Sequence, residues 1–273
     1  MRITAGIASL TSQRFMGQTQ KSVQRALQEM ASGTRFVDAG VDPAGYAIAE
    51  NLKSQIRGYS SAKMNAENAT SFVQIAEGAL NEQNNILIRM RELAIQAASD
   101  TYSDTERGYL NDEFQQINQE LDRISKTTKF GSQGLLDGST KEYEFQVGVN
   151  KGDDNIIRYT SDTNTSANEL GTEGLNVESK GDARDSLQDI DKGLLRINQA
   201  RAKMGAIQNR MESVTNHIDS QISGLTEAHS RMADADIAQS VSVARRGQIL
   251  QQYQASALQM AIDSEQSLLK LVG

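Results

Sequence analysis

The residues that could carry chemistry are few and scattered in this chain. The two histidines, His217 and His229, are twelve residues apart and have no acidic partner motif beside them, so we expect helix-surface or helix-seam positions for both. Asp153 and Asp154 lack the ligand spacing of a calcium loop, which favours a solvated turn. The sequence contains no glycine-rich phosphate loop, paired cysteines or His-Glu-x-x-His motif. It therefore predicts no catalytic site, metal or cofactor, and we do not expect an enzyme.

Composition favours long helices over a thick globular core. The 273 residues include one proline, no tryptophan and 5% aromatic residues, with a mean hydropathy of -0.52. A net charge of -7 argues against nucleic-acid binding, and no apolar run approaches the roughly 20 residues of a membrane span. Residues 1–7 lack the apolar region and cleavage site of an ordinary signal peptide, which alone predicts a cytoplasmic protein. The absence of cysteine fits a reducing cytosol or a secreted chain.

Apolar periodicity and capping residues predict the first two helices. An apolar stripe at helical spacing begins at Ile3 and ends near Ala31. Asp42 followed by Pro43 has the pattern of an N-cap and a first helical residue. The second helix should therefore begin there and end near Ser99.

A third helix and a β-hairpin follow in the pattern. Ser103 and Glu106 have the spacing of a capping box, and the short connection predicts antiparallel packing on the second helix. Apolar residues then alternate over Tyr143–Val149 and again over Ile157–Tyr159, which predicts a hairpin at about 141–160. The Ser-, Thr-, Asn- and Gly-rich stretch that follows, about 161–185, predicts an exposed loop with one short strand at Leu175–Val177.

The last third of the chain returns to helical periodicity. Apolar residues recur in one a/d register from Leu187 to Met232, and a terminal helix follows Asp236. Together the patterns predict a mainly α fold: a long antiparallel helical bundle or coiled coil formed by both the N- and C-terminal parts, with a small β-hairpin in the middle. We expect residues 1–43 and 236–273 to form a terminal coiled-coil domain, and 44–235 to form a helical shaft.

Motifs along nearly the whole chain resemble those of bacterial flagellin, the subunit of the flagellar filament. In sequence order, the matching segments are Ala31–Arg35, Ala39–Ile48, Gln55–Gly58, Ala76–Leu80, Arg89–Ala94, Thr128–Phe130, Leu135–Gly138, Ile197–Arg201, Gly205–Arg210, Ser230–Asp236 and Gln248–Gln252. Their common order and spacing make the resemblance specific. The chain departs from the family pattern at Val41, Pro43, Tyr46, Gly131–Ser132 and Glu265. Its short centre resembles a minimal flagellin that lacks large outer domains.

The resemblance implies a mechanical role. Copies of the chain would polymerise into the extracellular flagellar filament for swimming motility, after export of the unfolded chain through the flagellar type III apparatus. The termini would be disordered in the free monomer and pair as helices in the inner tube of the filament. Narrow apolar stripes cannot offset a backbone entropy of about 1 to 2 kcal/mol per residue, so neighbouring copies would supply the missing burial. The residues expected to drive polymerisation are Ile3, Ile7, Leu10, Val23, Leu27, Leu250, Leu258, Ile262 and Leu269.

The resemblance also implies partners and modifications. Besides copies of the chain, the expected partners are an export chaperone, the filament cap, hook-junction proteins and a host Toll-like receptor. Arg89, Leu93 and Glu113 occupy the family's receptor-contacting positions, although subunit packing would use the same residues. The Ser/Thr-rich stretch suggests O-glycosylation, with an unmodified loop as the alternative; its candidate positions are Thr160, Ser161, Thr163, Thr165 and Ser166.

Two other protein classes fit part of the pattern. A hook–filament junction protein shares the terminal helices, but the central blocks Ala76–Leu80 and Arg91–Leu93 favour flagellin. A cytoplasmic signalling scaffold built from a long helical hairpin would explain the heptads, but neither the β-hairpin nor the matching ends.

Overall fold

The computed structural model describes the backbone of residues 2–139, 142–160 and 164–272, and the side chains of 10–139, 142–160 and 164–263. Over these residues the helices are α1 (Arg2–Ser32), α2 (Pro43–Ala97), α3 (Asp104–Thr127), α4 (Ala167–Leu170), α5 (Lys180–Ala233) and α6 (Ile237–Val272). The strands are β1 (Lys129–Phe130), β2 (Gln133–Gly134), β3 (Glu142–Gln146) and β4 (Ile156–Thr160), with a 3-10 turn at Asp153–Asn155. The mainly α fold predicted from the sequence is confirmed.

The chain divides into two compact units. The terminal unit contains Met1–Ile56 and Ser223–Gly273, and the central unit contains Arg57–Ile222. The terminal domain predicted from the sequence, 1–43 with 236–273, lies within the terminal unit.

The starts of α2 and α3 follow from their capping residues. The backbone N–H of Gly45 donates to Asp42 Oδ1 at 3.0 Å, as expected for an N-cap just before Pro43. At α3 both halves of the capping box form: Glu106 Oε2 accepts from the Ser103 backbone N–H at 2.7 Å, and the Glu106 N–H donates to Ser103 Oγ at 3.4 Å. The bond to the Ser103 N–H lowers the pKa of the Glu106 carboxyl below its usual range.

Within the central unit, α2 lies antiparallel to α5. Lys63 Nζ contacts Asp219 Oδ1 at 2.7 Å, and Arg91 Nε contacts Asp191 Oδ1 at 2.8 Å, so residue numbers rise along one helix as they fall along the other. The third helix packs on the same core, where its buried apolar residues meet those of α2. The largest fully buried side chains there are Leu80, Leu87, Met90, Leu93, Phe114, Leu121, Leu136, Ile190, Ile197 and Met204.

The predicted β-hairpin is present as β3 and β4. These strands pair antiparallel with Tyr143 opposite Tyr159 and Phe145 opposite Ile157. The ring of Phe72 on α2 lies 4.7 Å from that of Tyr143, measured between centroids, so the hairpin packs on the helix through aromatic contacts. A second hairpin consists of β1 and β2, with two residues in each strand. It was not predicted from the sequence, because two residues per strand carry no detectable alternation.

The predicted loop at 161–185 is wrong in part. Residues 175–177 form no strand, because the backbone N–H of the buried Val177 donates to Asn111 Oδ1 at 3.1 Å instead of to another strand. Leu170 and Thr172 are also buried, and α5 already begins at Lys180. Side-chain contacts with α3 therefore hold much of this stretch against the core.

Candidate assembly interface

The segment that follows α1 and the segment that precedes α6 pair through an antiparallel β-bridge between Thr34 and Asp234. Gly33 ends α1 with a φ of 70°, the left-handed conformation that glycine adopts without strain. Just beyond it, the backbone N–H of Arg35 donates to Ala233 O at 2.7 Å, and that of Ala235 donates to Gly33 O at 3.0 Å. These two bonds hold the end of α1 beside the start of α6.

Beyond this bridge, α1 and α6 pack along a narrow seam of small residues. Val23 and Ala26 of α1 are buried, as are Ala244 and Gly247 of α6. Small side chains let two helix backbones approach closely, but they bury little apolar surface for each residue that is ordered. Burial within the α1–α6 pair therefore contributes little to the stability of the pair.

Large apolar side chains on the outer faces of the two helices are exposed. Leu10 is 61% exposed, Leu27 47% and Leu250 40%. All three were predicted to drive polymerisation. The other exposed large apolar residues on these helices are Phe15, Ile237, Val241, Val243, Ile249, Tyr253 and Met260. So many exposed apolar groups on one helix pair are typical of a protein–protein interaction surface.

Other predicted polymerisation residues occupy different positions. Val23 is buried within the chain, where it contacts α6, and Leu258 and Ile262 are half-buried. The side chains of Ile3, Ile7 and Leu269 lie outside the described residues.

Four of the most exposed apolar residues on these helices were not predicted to drive polymerisation: Phe15, Ile249, Tyr253 and Met260. Phe15 and Ile249 lie outside the apolar stripes of α1 and α6, so helical periodicity gave no signal for them. Large apolar residues outside a stripe are therefore also candidates for contacts between copies of the chain.

The predicted receptor-contacting residues lie together on α2 and α3. Arg89 donates from Nη2 and Nε to Glu113 Oε1 at 2.7 and 2.9 Å, and from Nη1 to Glu92 Oε2 at 3.1 Å. These bonds, the one to Glu113 first, raise the pKa of the Arg89 guanidinium. Both partners of the Arg89–Glu113 pair are about half exposed, whereas Leu93 is fully buried in the core. The pair is accessible to a partner, and Leu93 supports the helix beneath it.

The predicted glycosylation positions divide in the same way. Thr160 is exposed and Ser166 is half-buried. Thr165 is buried and its hydroxyl bonds to the Leu136 carbonyl, so its inclusion among the exposed positions was wrong. Ser161 and Thr163 lie outside the described residues.

The part of the chain that the structure describes contains no candidate metal site and no candidate membrane-spanning helix. No group of three or more His, Cys, Asp or Glu side chains comes together among these residues. His217 is exposed and His229 half-buried, and Asp153 lies in the exposed turn, where it pairs with Arg158 at 2.8 Å. Of the helices that the structure describes, none is both long and apolar enough to cross a membrane.

Family comparisons match both ends of the chain. Residues 3–141 match the bacterial flagellin N-terminal helical region, and residues 187–272 match the bacterial flagellin C-terminal helical region. The first match covers α1, α2, α3 and the short β1–β2 hairpin, and the second covers most of α5 and all of α6.

Individual proteins resemble the chain over its whole length. It is 35% identical to a flagellin of Halalkalibacterium halodurans and 33% identical to the flagellar filament 33 kDa core protein of Treponema phagedenis, each match covering 100% of both chains. Among solved structures, Bacillus cereus flagellin aligns with a TM-score of 0.51 and 29% identity over 61% of this chain and 94% of that one. A Vibrio parahaemolyticus protein assigned to the flagellar hook-associated group aligns with a TM-score of 0.60, over 71% of this chain and 100% of that one. Its 14% identity makes the likeness one of fold alone.

Proposed function

Because the chain belongs to the bacterial flagellin family, we propose that it is the structural subunit of a flagellar filament for swimming motility. The observation that carries the proposal is the exposed apolar surface of the α1–α6 pair. Copies stacked through non-identical faces would bury this surface and generate an open helical assembly. The protein's work is then mechanical, and no enzymatic activity is part of it.

Assembly would complete the core that the terminal helices lack. A fully buried leucine contributes about 1.5 to 3 kcal/mol, so covering the exposed half of Leu27 would add roughly 1 kcal/mol per copy. Leu10, Leu250 and their exposed neighbours on the same faces would add comparable amounts. Ordering of the terminal helices and polymerisation would thus be thermodynamically linked.

Charged substitutions on the exposed faces test the proposal. Leu27→Glu with Leu250→Glu should prevent polymerisation of purified chain at concentrations where the wild type forms sedimentable filaments, since each new carboxylate would be buried at the contact. Leu258 and Ile262 are less suitable because they are half-buried within the chain. Gln28→Glu with Gln252→Glu is the matched control, as both glutamines are exposed on the same helices.

The control should polymerise like the wild type. Normal polymerisation of the leucine variant, with seeds and without them, would refute the proposal that these faces drive assembly. Equal loss in the leucine and glutamine variants would show that added charge alone is responsible, and would refute it as well.

The finer parts of the proposal concern export and partners. We propose an extracellular location in the flagellum, reached as an unfolded chain through the type III apparatus with an export chaperone, and contacts with the filament cap and hook-junction proteins. Thin helices and the absence of cysteine support passage of an unfolded chain through a narrow channel. Detection of the protein in filaments sheared from intact cells tests the location, and its retention in the cytoplasm would refute it.

We also propose that a host Toll-like receptor contacts the exposed Arg89–Glu113 pair, with Leu93 holding α2 in place. A cell reporter assay with soluble monomer should show a lower response for Arg89→Ala with Glu113→Ala. An unchanged response would remove the proposal. O-glycosylation at Thr160, Ser161, Thr163 or Ser166 predicts an intact mass above that of the bare chain in native filaments, and a matching mass would refute it.

The two rival classes make different predictions. A hook–filament junction protein would be present in a few copies for each filament, whereas a filament subunit would account for most of the protein in sheared filaments. A cytoplasmic scaffold would be absent from them. Relatives that match the chain over their whole length and are described as flagellin or filament core protein support the filament subunit.

A further inference from the structure

Side-chain hydrogen bonds join α1 and α6 across their seam in the part of the two helices whose side chains the structure describes. Ser240 Oγ donates to Glu29 Oε2 at 2.9 Å, and Gln254 Nε2 donates to Thr19 Oγ1 at 3.0 Å. The residue number falls along α1 as it rises along α6, so the helices are antiparallel. Sliding one helix by a turn would break both bonds, and the half-buried Gln254 amide would lose its donor bond while its Oε1 already has no partner.

Between these contacts, Gly247 of α6 lies against Val23 of α1. A Cβ atom on Gly247 would lie 2.2 Å from Val23 Cγ2, well inside the separation that two carbon atoms tolerate. Val23 is buried, and as a β-branched residue it has one strongly preferred χ1 rotamer in a helix. Its methyl group therefore cannot move aside cheaply, and the position accepts only glycine without a shift.

Gly247 is the single glycine of α6, which makes this close approach available in one register only. A slip of three or four residues would place Ala244, Val243, Leu250 or Gln251 where Gly247 now lies. Each of these carries the Cβ that Val23 excludes. By contrast, Gly17 in α1 has no atom within 4 Å of an added Cβ, so its lack of a side chain serves no comparable contact.

We propose that Val23 and Gly247, supported by the Glu29–Ser240 and Thr19–Gln254 bonds, fix the register in which the terminal helices pair, and that this register selects the apolar side chains offered to neighbouring copies. The inference rests on the proposed assembly function and names positioning residues for it. A coiled coil with a uniform apolar seam can slip, and a specific mismatch at one position is a known way to prevent slipping. In the α1–α6 pair this position is the steric notch, the space beside Val23 that glycine at position 247 leaves open. It lies between the two side-chain hydrogen bonds.

Two alanine substitutions distinguish the effect of the notch on polymerisation from the effect of helix propensity. Gly247→Ala and Gly17→Ala both improve intrinsic helix formation, but only the first places a methyl group against Val23. We expect Gly247→Ala to raise the critical concentration for polymerisation about tenfold or more, as overpacking does, and Gly17→Ala to leave it within about twofold. Adding Val23→Ala to Gly247→Ala removes the opposing methyl groups and should restore polymerisation most of the way.

Cysteine cross-linking in filaments assembled above the critical concentration of each variant measures the register separately from the extent of polymerisation. The chain has no native cysteine, so an introduced pair gives an unambiguous signal. Ala26 and Ala244 are both buried and lie three residues from Val23 and Gly247 in opposite directions, which places them together in the same antiparallel register. Ala26→Cys with Ala244→Cys should form an intramolecular disulfide rapidly on a wild-type background, and several times more slowly with Gly247→Ala.

The outcomes separate this inference from the proposed function. If the wild type fails to form filaments under all conditions, the proposed function fails. If the wild type polymerises and the two glycine variants behave alike, the register proposal is overturned and the function stands. An unchanged cross-linking rate in Gly247→Ala, or no recovery in the Val23→Ala double variant, would likewise overturn the notch as the cause.

Discussion

Arg107 should be among the most sensitive positions of the central unit, because its side chain closes the turn between α2 and α3. It is 8% exposed. Nε donates to Ala97 O at 2.9 Å, Nη2 to Ser99 O at 2.9 Å, and Nη1 to Asp104 Oδ1 at 2.8 Å. Ala97 is the last residue of α2 and Ser99 lies in the turn just beyond it, so neither carbonyl accepts a hydrogen bond within the helix.

Arg107→Met keeps most of the side-chain stem and removes all three bonds. A hydrogen bond to a charged group contributes about 1.5 to 3 kcal/mol, so loss of the two carbonyl bonds should lower the free energy of unfolding by about 3 to 6 kcal/mol. The ion pair with Asp104 adds little, because that carboxylate is exposed.

Urea unfolding followed by circular dichroism measures the loss. The matched control is Arg123→Met on the same helix: Arg123 pairs with Glu120 through two bonds, but both side chains are largely exposed. We expect a change below about 1 kcal/mol there. If Arg107→Met lies within about 0.5 kcal/mol of the control, the assignment of Arg107 as the closure of the turn is wrong.

Further predictions concern the core and pH. Leu93→Ala should lower the free energy of unfolding by about 2 to 5 kcal/mol and Arg89→Ala by less than about 1, because only the first side chain is buried; comparable losses in thermal unfolding would contradict this. The depressed pKa of Glu106 stabilises the fold above its unfolded value of about 4.3, and the effect is lost as pH falls through the folded pKa. Ser103→Ala keeps the backbone N–H bond but removes the second cause of the shift, the hydroxyl that donates to Glu106 Oε2 at 2.8 Å, and should raise the pKa of Glu106 in an NMR titration; an unchanged value would refute the coupling. Tyr143→Phe removes a buried hydroxyl that donates to the β2 backbone, and should cost about 1 kcal/mol in urea unfolding; no measurable change would argue against that bond.

Features that depend on neighbours in sequence were predictable. The Asp42–Pro43 start of α2 and the Ser103–Glu106 box of α3 follow from backbone groups that residues within one turn satisfy. The long helices followed from composition and periodicity for the same reason. Local chemistry alone determines where these helices begin.

Features that depend on distant residues were not predictable. Residues 175–177 have the composition of a strand, yet the Asn111 side chain takes the backbone bond that a partner strand would need. Thr165 resembles a flexible polar residue until its contact with the Leu136 carbonyl is known. Val23 was predicted to drive polymerisation, whereas its side chain is buried within the chain against Gly247. In each case a partner far along the chain decides the outcome.

Electron microscopy of purified, reassembled chain shows directly whether this protein forms filaments. The wild type should form long tubes with a central channel, lined by copies of the α1–α6 pair, and Leu27→Glu with Leu250→Glu should form none. Wild-type chain that remains monomeric, or forms closed rings in place of open tubes, would contradict the proposed function.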